Sequence, residues 1–210
     1  MDVKSRAQKI AAILRKTYPD AKCSLNYSNP LELLVATILS AQCTDERVNI
    51  VTPLLFKKYK TATDYATVPI AQLEENIRST GFYHNKARNI QQCCKALVER
   101  HGGKVPSTLE ELVELAGVGR KTANVVLGNV FDTPGIVVDT HISRLSQRMK
   151  LTKNSDPVKI EFDLNELIPQ KDWTNFCHWM ISLGRAVCKA RRPDCPHCPV
   201  ADYCPSKGKV

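Results

Sequence analysis

The chain has 210 residues, 43% of them apolar, enough to bury a substantial core in one domain or two. Thirty Lys and Arg against 21 Asp and Glu give a net charge of +9, which favours polyanionic partners without by itself selecting nucleic acid. Met1 to Lys9 is polar with no signal-type apolar segment, and no run of 18 apolar residues occurs, which argues against a membrane-spanning helix and leads us to expect an intracellular, cytoplasmic protein.

Taken in chain order, the sequence punctuates helices and little else. Val3, Ala7, Ile10, Ala11, Leu14 and Tyr18 recur at helical spacing and give one apolar stripe. Asn29-Pro30 ahead of Leu31 to Leu39, and Thr44 ahead of Asp45 to Val51, are helix-start signals: a short oxygen-bearing side chain precedes an apolar run, and proline is tolerated at the first helical position. Pro53 lacks an N–H and should end or kink the second of these near Thr52. Ala87, Ile90, Cys94, Leu97 and Val98 form another stripe, and Gly102-Gly103-Lys104-Val105-Pro106 reads as a loop. Ser107 with Glu110 makes a capping box for a helix over 108–115, which runs through Gly117-Val118-Gly119 into a second helix over 120–131. Asp156-Pro157 opens a further helix over 158–168. Strand signals are weak throughout, so the expected architecture is mostly helical.

Nine cysteines without a secretory signal point to thiols or metal ligands rather than a disulfide framework. Cys23, Cys43, Cys93, Cys94 and Cys177 are scattered and suit core or surface thiols. Cys188, Cys195, Cys198 and Cys204 instead follow C-x6-C-x2-C-x5-C among Pro193, Pro196, Pro199 and Pro205, a stretch that can form neither a long helix nor a core strand. Metal binding would supply the folding free energy such a segment lacks. A 4Fe-4S cluster, a four-thiolate zinc site and a redox pair at Cys195 and Cys198 stay open, the single close pair favouring the cluster. Lys189, Arg191 and Arg192 fall between Cys188 and Cys195, where a bound centre would fix their direction toward DNA phosphates.

Gly117 and Gly119 permit close backbone approach, so amides of this turn could hold a phosphate, although most such turns merely connect helices. Lys121 follows at the start of the next helix, and Asp139 ends the apolar run Gly135-Ile136-Val137-Val138 just before Thr140-His141. Taken alone, Lys121 reads as a surface lysine and either Asp139 or Thr140 as a helix cap.

Together the motifs carry a resemblance. Leu115-Ala116-Gly117-Val118-Gly119-Arg120-Lys121-Thr122-Ala123, then Val137-Val138-Asp139-Thr140-His141, then the four cysteines resemble the endonuclease III family of helix-hairpin-helix DNA glycosylases. Asn29-Pro30, Leu39-Ser40-Ala41-Gln42-Cys43-Thr44-Asp45 and Gly81-Phe82-Tyr83-His84-Asn85-Lys86-Ala87 extend the match over nearly the whole chain. Two positions depart from the family pattern: Ala116 stands where proline is usual, and Phe82 where leucine is common. Neither removes chemistry, since alanine only relaxes the turn and phenylalanine is still an apolar wedge.

The resemblance implies a two-lobed, all-α helix-hairpin-helix glycosylase: a six-helix barrel over 22–133, with the hairpin near 108–131, and a 4Fe-4S lobe from 1–21 and 134–210. Cys188, Cys195, Cys198 and Cys204 take the ligand roles. It further implies a monomeric base excision repair enzyme, nucleoid-associated, acting on double-stranded DNA with damaged pyrimidines or abasic sites. Gly117 and Gly119 would hold backbone phosphate, Gln42 would fill the hole left by the extruded base, and Phe82 would wedge the opposite strand. Lys121 would be the nucleophile and Asp139 its carboxylate partner, with strand cleavage 3′ to the lesion by β-elimination from a lysine Schiff base. Ser40, Asp45 and His141 are candidate pocket neighbours. Two rivals stand beside this reading: a water-using mismatch glycosylase on the same scaffold, which has no need of a lysine at position 121, and a non-catalytic iron-sulfur DNA-binding module, which needs neither Lys121 nor Asp139.

Overall fold

The computed structural model describes residues 1–209. All regular structure among them is helical, with no strand, and no helix is long and apolar enough to cross a membrane. By its internal contacts the chain separates into two compact units, 1–22 with 134–210, and 23–133.

The unit over 23–133 is organised by α2, Pro30–Leu39. Asn29 opens it by accepting the Glu32 N–H at 3.0 Å, Pro30 occupies the first turn, and all seven residues from Leu33 to Leu39 are buried. A helix apolar on every side belongs at the centre of a core, and α2 packs on α3 (Asp45–Lys58), α6 (Tyr83–His101) and α8 (Arg120–Val130). The small helices α4 (Ala62–Thr67) and α5 (Ile70–Ile77) cover α6, and α7 (Leu109–Val113) lies against α8. Cys93 and Cys94 are core thiols of α6, which burial pushes up to about 12 and off the ordinary range respectively.

Two local expectations are corrected. The helix after Thr44 does not stop at Thr52; α3 runs through Pro53 to Lys58, tolerating one missing backbone bond because Val48, Thr52 and Leu55 hold its inner face in the core. The cap of α7 is Thr108, not Ser107: the Glu111 N–H donates to Thr108 Oγ1 at 3.3 Å, and the Thr108 hydroxyl donates to Glu111 Oε2 at 2.6 Å. Ser107 and Thr108 offer the same hydroxyl one residue apart, and Glu110-Glu111 does not discriminate between them.

The other unit is built from both ends of the chain. α1 (Val3–Thr17) packs on α10 (Pro157–Leu167) and α11 (Trp173–Ala186), and α9 (Thr140–Arg148) packs on both of those. Ile10, Leu14, Ile142, Leu145, Ile160, Leu164, Phe176 and Leu183 form its interior. Beyond α11 regular structure ends, save a 3₁₀ turn at Ala201–Tyr203.

Candidate active site

Within 23–133 the functional candidates occupy three connections. The hairpin joins α7 to α8. Gly117 has φ +77°, and a Cβ there would meet Asn89 Cβ at 2.8 Å, so its glycine is required by the fold. Gly119 differs: φ is −91°, a Cβ would meet nothing within 4 Å, and as N-cap it offers no side chain to the first amides of α8. With no side-chain cap ahead of it, the partial positive charge of this helix start suits an anion. Lys121 is exposed in this first turn.

Gln42 and Phe82 sit in the other two connections, and both are non-glycine residues in the left-handed region, at φ 52° and 49°. Such strain persists only where surrounding structure imposes it. Phe82 is 63% exposed, an apolar ring held in solvent, and Gln42 is also exposed. Ser40 is half-buried and its hydroxyl donates to the Thr37 carbonyl at 2.9 Å, ending α2. Asp45, in the first turn of α3, accepts the Ser24 hydroxyl at 2.5 Å.

The 1–22 with 134–210 unit holds the remaining candidates. Asp139 is the N-cap of α9, its Oδ1 accepting the Ile142 N–H at 2.8 Å. The cap fixes the carboxyl group in place and engages one of its two oxygens. His141 stands two residues on, in the first turn of α9. Burial, and after it the Arg144 and Arg185 guanidiniums, holds its imidazole below the usual histidine range against the opposing pull of Asp139. Arg144 Nη2 lies 3.2 Å from His141 Nδ1, and this cation together with burial disfavours a second positive charge on the ring. Lys121 thus belongs to one unit and Asp139 to the other.

Cys188, Cys195, Cys198 and Cys204 line one small cavity with Arg148, Pro193, Asp194 and Lys207. No three His, Cys, Asp or Glu side chains among the described residues are drawn together tightly enough for a single ion. Four sulfurs spaced round a cavity suit a polynuclear centre better than one tetrahedral zinc, whose thiolates lie at about 2.3 Å from the metal. Burial pushes the Cys198 and Cys204 thiols up, the neighbouring thiols push further, and backbone N–H groups at Val200 and Ser206 counter this. Four thiolates lining one cavity would repel one another, and a cationic metal centre between them would offset that charge.

Sequence reasoning missed the arginines that clasp this segment. Arg148 donates to Cys188 Sγ at 3.4 Å and to the Lys189 and Ala190 carbonyls at 2.8 and 3.0 Å, and Arg144 donates to the Gly184 and Cys188 carbonyls at 3.2 and 2.9 Å. Their i, i+4 spacing on α9 was the available signal, but it names no partner. The backbone of the basic loop is thus pinned while Lys189, Arg191 and Arg192 stay exposed, Arg192 at φ 55°.

With this geometry described, comparison with known proteins is direct. Residues 35–170 match the profile of HhH-GPD superfamily base excision DNA repair proteins, and 188–204 match the iron-sulfur binding domain of endonuclease III. Endonuclease III of Synechocystis is 57% identical over 204 residues, covering 97% of this chain and 93% of the relative. A non-covalent endonuclease III–DNA complex superposes with a TM-score of 0.94 at 46% identity, covering 99% and 97% of the two chains. A trapped endonuclease III–DNA covalent intermediate gives 0.93 at the same identity, covering 99% and 98%.

Proposed function

The chain belongs to the endonuclease III family of HhH-GPD base excision DNA repair proteins, and from that premise we propose how its residues divide the reaction. It is a DNA glycosylase and abasic-site lyase, it binds DNA, and it carries a 4Fe-4S cluster. The observation that carries the finer reading is the placement of Lys121 on the uncapped start of α8, directly after a hairpin whose second glycine nothing inside the protein demands. A glycine kept without internal need marks close approach from outside, here by DNA phosphate against the Gly119 backbone. The same contact delivers the strand to the lysine two residues on.

Lys121 attacks C1′ of the extruded nucleotide as the free amine. The bond from C1′ to the base breaks, and the base leaves with the electron pair and a proton. Asp139, one oxygen committed to the α9 cap, keeps the other to stabilise positive charge on the sugar and to move protons. Ring opening gives a Schiff base between Nζ and C1′. Loss of a C2′ proton then expels the 3′ phosphate, and water releases the lysine. Cys188, Cys195, Cys198 and Cys204 hold the cluster, which supplies the cross-link that orders the basic loop, so that Lys189, Arg191 and Arg192 meet DNA phosphates. Gln42 fills the vacated space and Phe82 parts the stack on the opposite strand. Neutral His141, with Ser40 and Asp45, borders the extruded base.

The substrates we propose are ring-saturated or oxidised pyrimidines in duplex DNA, together with abasic sites, acted on by an intracellular, nucleoid-associated monomer. Supporting this is a lysine where water-using mismatch glycosylases need none. The test is base release from duplexes that each carry a single lesion. Thymine glycol should be excised and the strand then cut; release of a mismatched thymine or adenine without cutting would replace this reading with that of a mismatch glycosylase.

A further inference from the structure

Lys86 is buried to 4% exposure in the first turn of α6, a costly position twice over. Burial strips the ammonium of water, and a helix N-terminus repels positive charge. A methionine would fill the same space without either cost. Its Nζ turns back along the helix, as side chains there do, and donates to the Thr80 carbonyl at 2.8 Å. The partner is a neutral backbone oxygen, and that oxygen is where the 3₁₀ turn Arg78–Thr80 hands over to the Phe82 loop.

The handover is strained. Gly81 has φ 70° and ψ 158°, a combination that only glycine adopts comfortably, and Phe82 follows in the left-handed region. Thr80 is itself buried and tied by its hydroxyl to the Ile77 carbonyl at 2.8 Å, while the Lys86 N–H closes onto the Phe82 carbonyl at 3.1 Å. Lys86 therefore bonds the loop on both sides of its strained pair, by side chain to Thr80 and by backbone to Phe82. The Gln42 loop is closed in a similar local way, Cys43 donating its N–H to the Ser40 carbonyl at 3.1 Å. Of the two strained, outward residues, Phe82 thus has a buried lysine beneath its loop.

We propose that Lys86 is a positioning residue for base extrusion: its buried ammonium, bonded to the Thr80 carbonyl, holds Phe82 in the conformation that enters the duplex together with Gln42. The proposal rests on the assignment of those two residues as the inserting groups. Lys86 touches no substrate; it acts through the Phe82 loop, and its buried charge serves that loop's geometry rather than stability.

The experiment compares Lys86→Met, Phe82→Ala and the double variant, all cluster-loaded. It uses one abasic oligonucleotide, either single-stranded, where no stack need be opened, or in duplex with 2-aminopurine beside the lesion. Lys86→Met should melt no lower than wild type, because a desolvated charge has been removed. Its duplex-to-single-strand ratio of strand-cleavage rates should fall about tenfold or more, as misplacement of a positioning group does, and the 2-aminopurine rise should slow in parallel. The double variant should be no worse than Phe82→Ala. A lower melting temperature with equal losses on both substrates would make Lys86 a structural residue and overturn the proposal. A wild-type ratio in Lys86→Met beside an impaired Phe82→Ala would overturn it alone, whereas a wild-type ratio in Phe82→Ala would remove the wedge assignment itself. If Lys86→Met does not fold, Lys86→Arg takes its place, and failure of both to fold also counts against the proposal.

Discussion

The helix α2 and the cysteine segment after α11 solve opposite problems. α2 has seven successive buried residues and folds because water is removed from them on every side. In the segment 188–204 Val200 is fully buried, three prolines interrupt the backbone, and the only regular element is one 3₁₀ turn. Its order comes from cross-links: two arginines from α9 on the outside and, at the centre, four thiols whose charges need a metal centre. One region is held by solvent and the other by ligands, so they should fail differently.

The largest effect follows from breaking the cross-link. Cys198→Ser, or chelation of the cluster, should abolish the brown absorbance and open 187–209 to proteolysis. Duplex affinity should fall with the lost contacts of Lys189, Arg191 and Arg192, while most far-UV helix signal survives. Leu34→Ala, in α2, should do the reverse: a stability loss of about 2–5 kcal/mol by denaturant unfolding, with cluster absorbance per folded molecule unchanged. A variant at Cys198 that melts the α2 unit as severely as Leu34→Ala would erase the contrast.

The two glycines of the hairpin sharpen it at smaller scale. Gly117→Ala collides with Asn89 at positive φ and should destabilise the unit by about 1–3 kcal/mol. Gly119→Ala should leave the melting temperature within experimental error of wild type or slightly raise it, yet weaken duplex binding. Equal stability losses in the two variants would mean that Gly119 serves the fold and not DNA.

The smallest effect is in pH. Burial holds His178, and likewise His141, below the ordinary value, so the unfolded chain binds protons that the folded chain refuses. Stability contributed this way is present above about pH 6.5 and declines as pH falls below it. Both histidines lie in the 134–210 part of the chain. His178→Gln should flatten the decline in urea midpoint between about pH 7 and about pH 5; an unchanged slope would move its cause elsewhere.

Much of this was legible in the sequence because it is local. Asn29, Thr44, Asp139 and Asp156 each cap the helix that follows, and helical periodicity marked the α1 and α6 stripes. The all-helical class and the iron-sulfur segment were legible from spacing and motif. Other features depend on tertiary packing. Pro53 looks like a helix stop, but the core contacts of Thr52 and Leu55 outweigh one lost hydrogen bond. Nothing in the composition distinguishes Lys86 from any exposed lysine, and the carbonyls clasped by Arg144 and Arg148 lie some forty residues away in the chain. The resemblance supplied the site residues; the strain at Gln42, Phe82 and Arg192 appears only in three dimensions.

The most direct test of the account is borohydride trapping on a duplex with one abasic site, comparing wild type with Lys121→Gln. Wild type should give a covalent protein–DNA band, and the variant should bind the duplex, retain its cluster colour and give none. A band that persists in Lys121→Gln, or no band from brown, DNA-binding wild-type protein, would contradict the assignment of Lys121 as the nucleophile.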